Sequence, residues 1–496
     1  MRKSNTMMRI CMGIAAALVV TAAQPARAAN YPLELTNIRA AGANMNSSHR
    51  IFRAYPGLMY NIRAAVIGGD LPYTFSLTNA PAGMTIDARG EIFWPNPQAN
   101  ATPTITVRDA AGAQVTATWT IQVTTTGFRF VNANAAAGGN GSAASPWRTM
   151  VDVYNNAAQT DIIYWRAGTY SQLTLPRTGT GGDWERVEWY RHASIWLAYP
   201  GETPVIDFGY RAGGSERAPA IRLNDDLVYV DGFETVNSRL IAFQFTGMQQ
   251  GPTFRKLRMH AHGPGTDGSN ASFIMTMISL GSPTSNMVVQ DSEFWDLTGL
   301  ATTLKIYSQR KLLIEDTVQH DATYGVELKA DVSQFTVRNN YFYDCNGFAL
   351  GGNMHYDTTY GEILLNYIRS ADALQLNNDS DARTIHVYRN TLVGRVLVSA
   401  TDSADGPFYF INNVIVNSNS GTPAGSHITY EEVSAPSRII QVNNLAGYPS
   451  DNIVDGAGNL TTAYAAYRGT HGHTGGGTTP PVPNAPAAPT NVRIIR

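Results

Sequence analysis

A six-residue pattern, apolar-x-x-Asn/Asp-x-apolar, recurs through the second half of the chain and limits its folds more than any other feature. It occupies 228–233 with Asp231 in fourth place, 313–318 with Asp316, 337–342 with Asn340, 363–368 with Asn366, 387–392 with Asn390 and 410–415 with Asn413. The stretch 440–445 continues it with Asn443, and 289–294 fits with Ser292. From Asp316 the fourth place advances by 24, 26, 24 and 23 residues. A unit this short cannot bury its apolar face alone and must stack on copies of itself; a period in the low twenties is one coil of a parallel β-helix. A second short strand follows in each coil, at 304–306, 326–328, 348–350, 374–376 and 396–398. Period-two alternation turns the middle residue of each outward, and coils stack about 4.8 Å apart, so equivalent residues form ladders. One ladder is expected to carry Lys305, Glu327, Ala349, Gln375 and Leu397, and the next, two residues on, Tyr307, Lys329, Gly351, Asn377 and Ser399. The Asn/Asp column is expected to be a structural ladder at a turn, its side chains bonding to backbone and to one another, with metal binding as the alternative.

The rest of the chain is sorted by composition. Arg2, Lys3 and Arg9, an apolar run over 10–23 and Ala26-Arg27-Ala28 read as a signal peptide, 1–28, which makes the mature protein secreted, extracellular or periplasmic. The apolar run is too short to span a bilayer, and no membrane span is expected elsewhere. Four basic residues and no acid leave with this segment, taking the formal net charge from −2 to −6, which argues against nucleic acid as a partner. Cys11 leaves too, so Cys345 stands alone in an aromatic stretch and is expected to be a buried, inert thiol. Charged residues make up only 15% of the chain, against about a quarter in ordinary globular proteins, which fits a strand-rich core. They concentrate in 301–340, singling out those coils as a place for chemistry.

From Tyr31 to Val123, short alternating runs are separated by turn signals such as Gly68-Gly69-Asp70, Pro81-Ala82-Gly83 and Asp109-Ala110-Ala111-Gly112. This stretch resembles the immunoglobulin-like or cadherin-like modules of secreted bacterial proteins and implies a small β-sandwich domain over 29–124. After the linker Thr124 to Gly127 come Phe128-Arg129-Phe130-Val131-Asn132, a Gly-rich loop, Pro146-Trp147-Arg148-Thr149, a short helix-like stretch and Asp161 to Tyr170. The Gly-rich loop lacks the Gly-Lys-Ser/Thr of a phosphate cradle. This entry resembles the start of pectate-lyase-type domains, which implies an all-β right-handed parallel β-helix over 128–460, opened by an amphipathic cap helix. A Gly/Pro-rich, linker-like tail is expected over 461–496, where His471 and His473 read as incidental.

On a β-helix, an outward groove suits a linear sugar polymer, because polar side chains from successive coils meet successive sugars. Cleaving a uronate chain by β-elimination needs a cation for the carboxylate, a base for the C5 proton and an acid for the leaving oxygen. Lys329 is the candidate base, Arg338 or Lys305 the neutralising cation, and His355 or Tyr356 the acid. Glu327, His320, Gln375 and Asn377 are the candidate substrate-binding residues. A lysine base must lose its proton below its ordinary pKa of about 10.4, which nearby cations favour and a nearby carboxylate opposes. The segment 325–352 also resembles polysaccharide lyases of the alginate lyase and chondroitinase B group, in which a Lys and an Arg on neighbouring coils do the chemistry. That resemblance allows a calcium ion, although the group's Asn-Glu-x-Glu set is not evident, and the metal ligands are left unassigned. The expected partner is an acidic polysaccharide. The alternatives are a β-helix glycoside hydrolase, for which Asp225-Asp226, Asp379 with Asp381, and Glu431-Glu432 supply carboxylates, and a non-catalytic carbohydrate-binding protein.

Overall fold

The computed structural model describes residues 31–473 apart from 43–44, 173–174, 179–185, 190–191, 211–219, 224–226, 246–250, 264–270, 277–283, 298, 300, 354–358, 379–382 and 404. The signal-peptide segment lies outside the described residues, as do His355, Tyr356, Asp225, Asp226, Asp379 and Asp381.

Turn-separated alternation in the first hundred residues produces two small antiparallel sheets. Tyr60–Arg63 pairs with Glu91–Trp94, which pairs with Thr85–Ile86; Thr74–Thr78 pairs with Thr104–Arg108, which pairs with Gln114–Thr118. Their inner faces close on a core containing Tyr60, Ile62, Ile92, Trp94, Ile105, Val107 and Trp119. This is a β-sandwich in which the apolar alternates face in and the threonines face water.

The coils begin at Phe128–Val131. The helix Met150–Asn156 follows, held at its start by a capping box between Thr149 and Asp152. It buries Met150 and Val153 in the core of the coils, as the expected cap. Twelve strands then stack in parallel register from Phe128–Val131 to Ile439–Val442 as a first sheet. The remaining strands form a second and a third column. Val318–Ala322 pairs with the head of Tyr341–Asn353, and Tyr324–Leu328 with its tail. The chain is therefore a three-faced parallel β-helix, filled by one continuous core running from Val131 to Ile439.

Nine successive coils turn from the first to the second sheet through one residue of positive φ: Gly232, Lys256, Asp291, Asp316, Asn339, Leu365, Arg389, Asn412 and Asn443. The next position carries the ladder. The Oδ1 of Asn366 accepts from Nδ2 of Asn340 at 2.9 Å, that of Asn390 from Asn366 at 2.9 Å, that of Asn413 from Asn390 at 3.1 Å and that of Asn444 from Asn413 at 3.0 Å. In the coil before, Thr317 takes the ladder place and donates to Asn340 Oδ1 at 2.8 Å. The fourth place of the sequence pattern thus mixes three columns: Asp231 lies one residue before its corner, Gly232, in register with Arg255. Asp316 and Asn443 are left-handed corners, which Asn and Asp tolerate best, while Thr317 and Asn444 are the ladder members. Each carboxamide is satisfied by the amides of its neighbours, so the ladder itself accounts for the column.

Two further expectations change. The third sheet sits two residues later in the coil of Phe348: Val326 pairs with Leu350 and Glu327 with Gly351, so Ala349 is inside and Gly351 stands on the outward ladder. The described part of the expected tail, 461–473, packs on the coils. His473 is half-buried against the rings of Tyr341 and Tyr367 and lies 2.9 Å from Thr391 Oγ1, covering the second sheet of the late coils. No helix among the described residues is long and apolar enough to cross a membrane.

The sandwich lies on the outer face of the first sheet. Tyr31, Ala65 and Ile67 pack on Val288 and Leu313, and Tyr55 and Leu58 on Phe128, Phe130, Tyr164 and Leu197. Around these contacts runs an ionic network. Arg63 reaches Asp291 at 2.7 Å, Glu315 at 3.4 Å and Asp316. Lys256 reaches Glu91 at 2.7 Å and Lys311 reaches Glu34 at 2.6 Å. Much of the charge concentrated in 301–340 therefore serves docking: Lys311, Glu315, Asp316 and Arg338 all belong to this interface.

Candidate functional site

The third sheet turns its outward ladder to the side away from this docking. Lys305 faces Glu327 across the register, Glu327 faces Gly351, and Gly351 faces Gln375. Lys305 Nζ lies 3.1 Å from Glu327 Oε2, and Lys329 Nζ lies 3.6 Å from Glu327 Oε1. One carboxylate thus sits between two ammonium groups, and the trio carries a net positive charge. Lys305 is buried, whereas Lys329 remains about a quarter exposed. The ammonium of Lys329 lies 5.8 Å from the centre of the Tyr307 ring. Burial, aided by the charge of Glu327, raises the Tyr307 phenol pKa well above its ordinary value and keeps it protonated.

Glycine is required beside this trio. Gly351 has φ +122°, and a Cβ there would meet the carbonyl oxygen of Gln375 at 1.8 Å. The strand accordingly presents no side chain between Glu327 and Gln375, which stand two coils, about 10 Å, apart. Gln375 is half-buried on the far side of this gap, and Asn377 follows two residues on in the same strand. The structure thus gathers Lys305, Glu327, Lys329 and Gln375 on one face and adds Tyr307.

Two expected members stand elsewhere. Arg338 is on the first sheet, buried under the sandwich; it donates to Glu315 Oε2 at 2.8 and 2.5 Å and to the Tyr73 hydroxyl at 3.2 Å. It is a docking residue, because the turn between first and second strands aims the two faces apart. His320 is on the second sheet, in a stack of rings that runs His260, Trp295, His320, Tyr343 on successive coils, with centroid spacings of 4.2, 6.0 and 4.6 Å. Its Nδ1 is 2.7 Å from Asp321 and its Nε2 3.4 Å from Glu293. Burial alone would lower its pKa, but these two carboxylates outweigh that and raise it. Rings stacked this way cover one another's faces, so the ladder offers edges rather than platforms to a sugar. One aromatic ring per coil, at 260, 295, 320 and 343, was the signal that could have found it.

Calcium takes six to eight oxygen ligands. On this face Glu327 is held by two lysines, and among the described residues no group of three or more His, Cys, Asp or Glu could hold a metal. The donor set of this face does not fit calcium.

The family model He_PIG, which describes an Ig domain, matches residues 46–124. No curated protein matches the chain. Among solved structures, a rhamnogalacturonan lyase is similar at 13% identity and a TM-score of 0.40, over 65% of this chain and 88% of that one. The pectate lyase Pel9A is similar at 15% and 0.41, over 65% and 78%. The family 28 exopolygalacturonase of Yersinia enterocolitica is similar at 11% and 0.31, over 85% and 99%.

Proposed function

We infer that the protein is a secreted polysaccharide lyase that cleaves a uronate-containing chain by β-elimination on the outward face of the third sheet. The observation that carries this reading is the trio itself: two ammonium groups on one carboxylate, beside the gap at Gly351. A net positive, partly dry patch in a chain of negative net charge selects an anionic sugar and holds its carboxylate against Lys305 and Lys329. That contact acidifies the sugar's C5 proton. Lys329, the more exposed of the two, is assigned as the base: it first releases its ammonium proton to water, leaving Lys305 to hold the carboxylate. It takes the C5 proton, the electron pair forms the C4–C5 double bond, and the C4–O bond breaks. The Tyr307 phenol, held protonated and next to Lys329, is assigned to protonate the leaving oxygen alongside His355 or Tyr356. Gln375 and Asn377 bind the chain further along the face.

The test is a panel of acidic and neutral polysaccharides incubated with the purified protein, following ultraviolet absorbance of unsaturated ends together with reducing ends. The expected result is a matched rise of both on uronate-containing polymers alone. Reducing ends without absorbance would make the protein a hydrolase, and binding without either would make it a carbohydrate-binding module.

A further inference from the structure

Between the sandwich and the first sheet lies a cavity of about 380 Å³, far from the lysine trio and within the size range of small-molecule sites, which favour domain interfaces. Its wall holds three cations, Arg50, Lys256 and Arg258, and two acids, Asp231 and Glu202. Four of these five are already paired. Lys256 bonds Glu91 at 2.7 Å, Arg258 reaches Glu293 at 3.4 Å, Asp231 faces Arg255 at 3.6 Å, and Glu202 holds Arg166 at 2.5 Å.

Arg50 is the exception. It is 2% exposed, and among the described residues no carboxylate lies within ion-pair distance of it. Its guanidinium rests 4.5 Å from the centre of the Tyr60 ring and donates through Nη1 to the Arg53 carbonyl, while its Nε has no partner. Tyr164, also 2% exposed and on the same wall, has a hydroxyl with no partner. Its phenol lies within the field of Arg50. A buried guanidinium lacking an acid and a buried hydroxyl lacking an acceptor share one remedy, an oxyanion that accepts from both. The rest of the wall sets the Tyr199 ring and apolar Met59, Leu197, Pro200 and Phe233 beside the polar Asn61 and Thr203, a mixture that matches the apolar face and the hydroxyl groups of a sugar ring.

We propose that this interdomain cavity binds a sugar acid of about one residue, its carboxylate held by Arg50 and Tyr164. The site is separate from the third-sheet face and does not depend on the lyase reading. The Ig-like sandwich supplies Arg50, so the module becomes half of a binding site instead of a spacer.

Isothermal titration of the purified full-length mature protein with the monosaccharides galacturonate and glucuronate, against galactose and glucose, tests this directly. A monosaccharide has no glycosidic bond to break, so the heat reports binding alone. The acids are expected to bind at least tenfold tighter than the neutral sugars, since a hydrogen bond to a charged group is worth about a factor of ten or more. Tyr164→Phe should weaken acid binding about tenfold without lowering the melting temperature, because the hydroxyl it deletes is unpaired in the free protein. Arg50→Met should abolish the preference for acids. The heat should persist in Lys329→Ala, which separates this site from the lysine trio. Equal binding of acid and neutral sugars, no heat with either, or unchanged affinity in Tyr164→Phe would overturn the proposal.

Discussion

Replacing Asn390 by alanine isolates the corner ladder, because every atom it removes has a known partner. Asn390 Oδ1 accepts from the backbone N–H of Asn366 at 2.9 Å and from its side-chain Nδ2 at 2.9 Å. Its own Nδ2 donates to the Ile363 carbonyl at 2.8 Å and to Asn413 Oδ1 at 3.1 Å. Asn366, Asn390 and Asn413 are all fully buried. Alanine therefore strands two donors of Asn366 where water cannot reach them; Asn413 Oδ1 keeps the backbone N–H of residue 390. At about 1–3 kcal/mol per unsatisfied buried group, the cost is about 2–6 kcal/mol. Asn444→Ala is the matched control. It removes the same two bonds, from Asn413 N at 2.9 Å and Nδ2 at 3.0 Å, at a half-buried end of the ladder where water substitutes, so it should cost roughly 1 kcal/mol. Guanidinium unfolding followed by far-ultraviolet circular dichroism, with both midpoints referred to the unsubstituted protein at a common slope, measures the difference. An Asn390→Ala shift no larger than that of Asn444→Ala would refute the ladder as a source of stability.

Three other outcomes follow from the interface and the core. Arg63→Met leaves Asp291 and Asp316 only the half-exposed Arg89 and leaves Glu315 only Arg338, and should cost about 3 kcal/mol, the low end for a broken buried pair, whereas Arg395→Met, on an exposed pair with Asp372, should cost at most about 1 kcal/mol in the same denaturation assay. Burial would raise the Glu91 pKa, but Lys256 and Arg255 outweigh it and hold it at about 2 against an ordinary 4.5. Its stabilising share is thus fully present above pH 4.5 and lost as pH falls towards 2, so the melting-temperature advantage over Glu91→Gln should shrink across that window and stay constant above it. Cys345 is 4% exposed, and burial pushes its thiol up to about 12, so iodoacetamide at pH 8 should label it only after unfolding, as mass spectrometry would show.

The repeat and the outward lysines were legible because both depend on spacing within one coil. The Asn run 366, 390, 413 and the trio Lys305, Glu327, Lys329 can be read from alternation and period alone. What escaped depends on partners distant in the chain or on local irregularity. Arg338 looks like a groove cation until Tyr73, 265 residues away, is seen against it. The third strand after Phe348 was misplaced by two residues because 348–350 satisfies the apolar alternation, whereas bulges around Cys345 push the true strand on to Gly351. Asp316 reads as a ladder member in the sequence because a left-handed corner and an amide ladder favour the same short polar side chains at adjacent positions. Nothing in the sequence marks Arg50 and Tyr164, which become neighbours only when the sandwich docks.

The rate at which Lys329→Ala releases unsaturated ends from a uronate polymer tests the central claim most directly. The prediction is a loss of at least about a hundredfold relative to the unsubstituted protein, the usual worth of a positioned base, with the unfolding midpoint unchanged. A folded Lys329→Ala protein that keeps the full rate would contradict it and move the chemistry away from the third-sheet face.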